Sequence, residues 1–148
     1  MSALKAAIND SVKAAMRAGE KPRLATLRMV TAAIKQKEVD DRRELTDADV
    51  LAILDKMVKQ RRESESQYAQ ANREDLAEVE RAEMAIIAEF LPQPLTEDEI
   101  IRLIDDAIAT TGAASVKDMG KVMGILKPQV QGRADMGQVS AQVKTQLN

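Results

Sequence analysis

The sequence predicts an all-α fold, a four-helix N-terminal bundle followed by a small three-helix C-terminal domain. Three observations predict it. Tyr68 and Phe90 are the sole aromatic residues, so the core must be built from Ala, Leu, Ile, Val and eight Met, a set that favours helices over strands. Apolar residues recur at three- and four-residue intervals along most of the chain. Leu91-Pro92-Gln93-Pro94 interrupts that pattern, since proline removes a donor and restricts the residue before it, and divides the chain into domains 1–92 and 93–148.

Leu4, Ile8, Val12 and Met16 draw one apolar stripe down a first helix, which Ser2 can cap and Gly19 can end. Pro22 suits the first turn of a second helix. Leu24, Leu27, Val30 and Ile34 form its buried face, and it should fade in the charged stretch from Asp40 to Glu44. Thr46 caps a third helix with Asp47 and Asp49 in its first turn, where the helix dipole favours anions. If continuous to Ala71 it is about 39 Å long, and its polar second half should project or lie against one neighbour. Asn72 is placed to cap a fourth helix through Leu76, Val79, Ile86, Ile87 and Phe90.

Past the prolines, Thr96 and Glu99 form a capping box ahead of Ile100, Ile101, Leu103, Ile104 and Ile108, and Gly112 ends that helix. Ser115 is expected to start a short helix through Val116, Met119, Val122 and Leu126, with Pro128 just beyond it. A last helix from about Asp135 carries Val139, Val143 and Leu147.

Composition excludes several classes of chemistry. Cys and His are absent, which removes disulfides, the commonest general base and the thiol nucleophile. No phosphate-binding or dinucleotide-binding glycine pattern occurs. Acidic pairs such as Asp40-Asp41, Asp105-Asp106 and Glu97-Asp98-Glu99 fit helix starts and solvated faces better than a carboxylate dyad, which needs burial. The expectation is therefore no catalytic residues, no metal site and no cofactor. No apolar run approaches the roughly 20 residues of a membrane span, and no signal-peptide core is visible, so the expected location is cytoplasmic.

The net charge of −2 says little, but its distribution says more. Residues 113–148 hold Lys117, Lys121, Lys127, Arg133 and Lys144 against Asp118 and Asp135, and the rest of the protein is correspondingly acidic. Lys117, Lys121, Lys127 and Arg133 stand near Gly120, Gly124 and Gly132, which leave the backbone open to close approach. Cations beside bare backbone and a helix start at Asp135 suit an anionic phosphodiester. The plainer reading is that Gly120 and Gly124 permit tight helix packing, Asp135 is only an N-cap, and Arg133 is an ion-pair partner. Lys59, Arg61 and Arg62 make a second, weaker basic cluster, diluted by Glu63 and Glu65.

These segments resemble the GatB/YqeY family over essentially the whole length. Arg23-Leu24-Ala25-Thr26-Leu27-Arg28-Met29 is similar to its second-helix signature, and Lys59-Gln60-Arg61-Arg62-Glu63-Ser64 to its basic third-helix segment. Asn72-Arg73-Glu74-Asp75-Leu76 and Phe90-Leu91-Pro92 resemble the fourth helix and hinge. The most specific pieces are Met119-Gly120-Lys121-Val122-Met123-Gly124, Lys127-Pro128 and Gly132-Arg133-Ala134-Asp135; Met136 departs from the glycine many members place next.

In that family the same helical module forms the tail of the B subunit of the tRNA-dependent amidotransferase, and some glutaminyl-tRNA synthetases carry a similar appendage. The resemblance thus implies a non-catalytic tRNA-binding or tRNA-associated accessory module acting with an amidotransferase or aminoacyl-tRNA synthetase. It makes Lys117, Gly120, Lys121, Gly124, Lys127, Gly132 and Arg133 the RNA-contacting residues, with Lys59, Arg61 and Arg62 as a weaker set. The alternative is a protein-interaction module in which the third or fourth helix keeps an apolar face for a partner helix. Amidotransferase activity of the chain itself is a third reading, which the missing catalytic groups disfavour.

Overall fold

The structure, a computed structural model, describes residues 2–148. Among these residues there are seven α-helices, one 3₁₀ turn and no strand. The protein is all-α.

Local chemistry sets most of the boundaries. α1 (Ala3–Ala18) begins where Ser2 Oγ accepts the Lys5 amide at 3.0 Å, and it ends at Gly19 in the left-handed region, φ 70°. α2 (Lys21–Asp41) carries Pro22 in its first turn and stops in the charged stretch, where Arg42 turns left-handed at φ 55°. α3 (Asp47–Gln70) starts in a reciprocal box: Thr46 Oγ1 accepts the Asp49 amide, and the Asp49 carboxylate accepts the Thr46 amide at 2.9 Å.

α4 (Glu74–Ala88) corrects one expectation. Asn72 does not cap it; Asn72 sits at φ 60° in the loop and Arg73 takes the N-cap position. Asparagine tolerates the left-handed region, which lets the chain reverse within a few residues, and the Arg73 amide then donates to Tyr68 O at 2.8 Å. α5 (Glu97–Thr111) has the expected box between Thr96 and Glu99, and Gly112 ends it at φ 67°. Ser115 opens a 3₁₀ turn (Val116–Asp118) rather than an α-helix, and α6 proper runs Met119–Val130. α7 spans Met136–Leu147, its first amides served by Asp135, which accepts from Gly137 N at 2.8 Å.

Pro128 lies inside α6 rather than beyond it. It stands in the last turn, so the ladder loses only the donor that the Gly124 carbonyl would have received. Gly124 is exposed, which leaves that carbonyl open to water.

The chain divides into two compact units, Met1–Leu91 and Pro92–Asn148. The first holds α1–α4 around Ile8, Val30, Ile34, Leu45, Val50, Leu54, Met57 and Ile87. Within it α3 packs chiefly on α4. Arg61 staples the pair: its Nε donates to Glu83 at 2.8 Å and its Nη1 to Met57 O at 3.2 Å. Arg81 on α4 binds Glu65 of α3, and also Glu74. The second unit packs α5, α6 and α7 around Ile104, Ala107, Val122, Leu126, Val130, Val139, Val143 and Leu147.

Candidate binding face on the second unit

α6 owes its orientation to its apolar spacing. Val122, Leu126 and Val130 recur every four residues and are fully buried, which turns the opposite side to solvent. That side presents Gly120, Lys121, Gly124, Lys127 and Pro128, all exposed, with Lys117 exposed in the preceding 3₁₀ turn. A Cβ built on Gly120 or on Gly124 meets no atom within 4 Å. The glycines therefore do not serve tight packing, which overturns that part of the plainer sequence reading, whereas Asp135 is the N-cap it expected. They leave a strip of uncovered helix backbone, at about 1 kcal/mol per glycine relative to alanine.

Lysines border the strip. Among the described residues Lys117, Lys121 and Lys127 form no ion pair, whereas Lys5, Arg23, Lys37, Arg43, Arg61, Arg73 and Arg81 do. Asp118 is the nearby acid, and it is occupied: its carboxylate accepts the Ala114 amide at 3.0 Å. That bond, with Lys121 contributing, holds its carboxyl below the ordinary range.

Gly132 and Arg133 do not join this face. Gly132 is buried at φ 74°, where the chain leaves α6, and its role is conformational. Arg133 clamps the segment Pro92–Leu95: its Nε donates to Gln93 O at 3.0 Å while its own carbonyl accepts the Leu95 amide at 2.8 Å. It forms no ion pair among the described residues, and its Nε is committed to a backbone acceptor. The weaker cluster also breaks up, because Arg61 is consumed between α3 and α4 with 13% of its side chain exposed. Lys59 and Arg62 remain on the surface.

Among the described residues no group of three His, Cys, Asp or Glu side chains is arranged to hold a metal. Among the described residues no helix is long and apolar enough to cross a membrane. In the first unit burial pushes the Glu80 carboxyl up, with the neighbouring Glu83 adding to the rise. The α3 and α4 stripes are largely spent on each other; Val79, 53% exposed, is the large apolar side chain α4 leaves out.

Comparison with known proteins decides the family. The Yqey-like protein family matches residues 5–147. The chain belongs to this family. A relative from Clavispora lusitaniae, altered inheritance of mitochondria protein 41, mitochondrial, is 35% identical over 101 residues, covering 68% of this chain and 59% of its own length. A protein of the same name from Pyrenophora tritici-repentis is 29% identical over 129 residues, 86% of this chain and 71% of the relative. An uncharacterized protein from Schizosaccharomyces pombe is 31% identical over 90 residues, 61% of this chain and 73% of the relative. The chain thus spans 59% of the length of the Clavispora protein, less than two thirds.

These names correct two expectations. The relatives are named for the inheritance of mitochondria, not as tRNA-binding accessories of an amidotransferase, and the tRNA assignment is withdrawn. They are also labelled mitochondrial, against the cytoplasmic location expected from the absence of a signal or span. The elimination failed because it tested only for secretion and membrane insertion.

Proposed function

We propose that the protein is a non-catalytic protein-interaction module whose α6 face receives an acidic segment of a partner protein. One observation carries this: Lys117, Lys121 and Lys127 stand without ion partners around a backbone strip that two glycines leave bare. Unsatisfied cations favour carboxylates, and missing side chains allow a partner backbone to come close. The relatives' names supply the setting, so the partner is sought among mitochondrial proteins.

The finer architecture belongs to the same proposal. A four-helix bundle at 1–92 and a three-helix domain at 93–148 would each fold around its own core, which the two separate clusters of buried residues support.

The test is retention of proteins from nuclease-treated mitochondrial extract on the immobilised chain. A Lys117→Glu, Lys121→Glu, Lys127→Glu variant should lose what the wild type holds, while Lys59→Glu with Arg62→Glu should keep it. Raising the salt should release it, because rim charges are screened. Equal retention by both variants, or retention that disappears with nuclease, overturns the reading.

A further inference from the structure

The whole-chain charge conceals a basic N-terminal hairpin. Over its two helices, residues 3–41, eight Lys and Arg stand against Asp10, Glu20, Glu38, Asp40 and Asp41, an excess of three in a chain of net charge −2. Three of the eight are engaged: Lys5 with Glu38, Arg23 with Glu89 and Glu20, and Lys37 with Asp41. The other five, Lys13, Arg17, Lys21, Arg28 and Lys35, are exposed and make no ion pair among the described residues. Lys21, Arg28 and Lys35 repeat every seven residues, so they form one stripe along α2 with rungs about 10.5 Å apart.

A groove opens beside the Lys35 end of that stripe. α1 and α2 are antiparallel, as the ion pair between Lys5 early in α1 and Glu38 late in α2 requires, with Lys5 Nζ 2.8 Å from both carboxylate oxygens. Between the helices lies a channel of about 420 Å³, lined by Asn9, Thr31, Ala32, Ile34 and Lys35 and by the Lys5–Glu38 ion pair, in which the Glu38 carboxylate is already neutralised. A smaller hollow of about 150 Å³ shares Lys5, Asn9 and Glu38 with it and reaches Ser2 and Leu45. Farther along α1, Lys13, Met16 and Arg17 border another open hollow, and Met16 is 52% exposed.

The shape and chemistry select the occupant. A channel between two parallel rods accepts a third rod, and its walls mix polar atoms of Asn9 and Thr31 with the methyl groups of Ala32 and Ile34. A bilayer fits poorly, because Ile8 and Ala15 point into the core and the hairpin keeps no broad apolar face to insert. We propose that the α1–α2 groove binds an acidic amphipathic helix of a partner protein, with carboxylates at seven-residue spacing set against Lys21, Arg28 and Lys35. This site is independent of the α6 face.

The experiment uses the full-length chain and a fluorescent helix-forming peptide of about five turns, bearing glutamate at every seventh position. The peptide should bind saturably. Lys21→Glu, Arg28→Glu and Lys35→Glu together should weaken binding at least about tenfold, the combined size of three exposed charge pairs. Asn9→Trp keeps every charge but fills the channel, and it should weaken binding as well; circular dichroism confirms that both variants remain folded. A peptide of the same composition with its glutamates shuffled should bind about tenfold more weakly. Lys117→Glu, Lys121→Glu, Lys127→Glu should bind the peptide as the wild type does. Equal affinity for the shuffled peptide overturns the proposal, as does loss of binding in the α6 variant. Binding to phosphatidylglycerol-containing vesicles or to RNA in preference to the peptide also overturns it.

Discussion

Gly120 and Gly124 show how little of a glycine's role its spacing reveals. Four residues apart, they fit either a tight helix crossing or a bare surface, and the structure leaves them with open space. Gly120→Ala and Gly124→Ala should therefore each stabilise the protein by about 0.5–1 kcal/mol, since alanine loses less backbone entropy and has room for its methyl. Urea unfolding checks this, and destabilisation would mean that a neighbour occupies the space. If the α6 face binds as proposed, the same variants should weaken partner retention while the fold gains stability. Gly132 behaves oppositely: buried at φ 74°, it should lose about 1–2 kcal/mol on substitution by alanine. The sequence placed all three glycines near lysines; only the direction in which α6 buries Val122, Leu126 and Val130 separated them.

The elements that were legible are those with local signals. Thr46–Asp49 and Thr96–Glu99 encode helix starts within four residues, and both boxes form. Thr46→Ala should cost about 1 kcal/mol in thermal or urea unfolding, because the orphan amide of Asp49 loses its acceptor. Asn72 and Pro128 were misjudged because several outcomes satisfy the same local chemistry: asparagine caps helices and also turns left-handed, and a proline in the last turn removes only one bond. Arg133 was illegible for a different reason. Its partner is a carbonyl forty residues away, Gln93 O, and no pattern of charges announces a backbone acceptor. Arg133→Ala should cost about 0.5–1.5 kcal/mol and speed proteolysis near Gln93, which limited digestion followed by mass spectrometry would read.

At the scale of the molecule, charge pairing sets the response to acid. The Lys5 ammonium holds Glu38 below the ordinary carboxylate range, the Ser2 hydroxyl does so for Asp47, and the Arg43 guanidinium for Asp49. Each contributes stability that is complete above the unfolded-state value and is lost as pH falls from there through the native value. Glu80, raised by burial, has the opposite sign: its ionised form is disfavoured, so protonation relieves it. With Asp75, Glu99 and Asp118 also held low, six depressed carboxyls outweigh one raised, and the melting temperature should hold between about pH 6 and 8 and drop below about pH 4. Melts followed by circular dichroism test this, and Glu38→Gln should show a smaller drop between neutral and acid pH than the wild type. Core truncations test the proposed division: Leu54→Ala and Leu126→Ala, each costing about 2–5 kcal/mol, should lower separate transitions. A single transition shifted equally by both would refute it.

The sequence by itself determined the all-α class, most of the helix starts and stops, and membership of the family that matches residues 5–147. These depend on apolar period, capping residues and short motifs, all of which act over a few neighbouring positions. Tertiary structure alone decided which cations are free. Arg61 and Arg133 became structural because residues distant in the chain supplied Glu83 and Gln93, while Lys117, Lys121 and Lys127 stayed open because the buried side of α6 faces away from them. The hairpin groove is likewise a product of two helices side by side, and the unpaired cations of residues 3–41 acquire a meaning only once Lys35, Asn9 and Thr31 are seen to line one channel. Local interactions choose the elements; which surface is left to meet a partner depends on what the packing has already used.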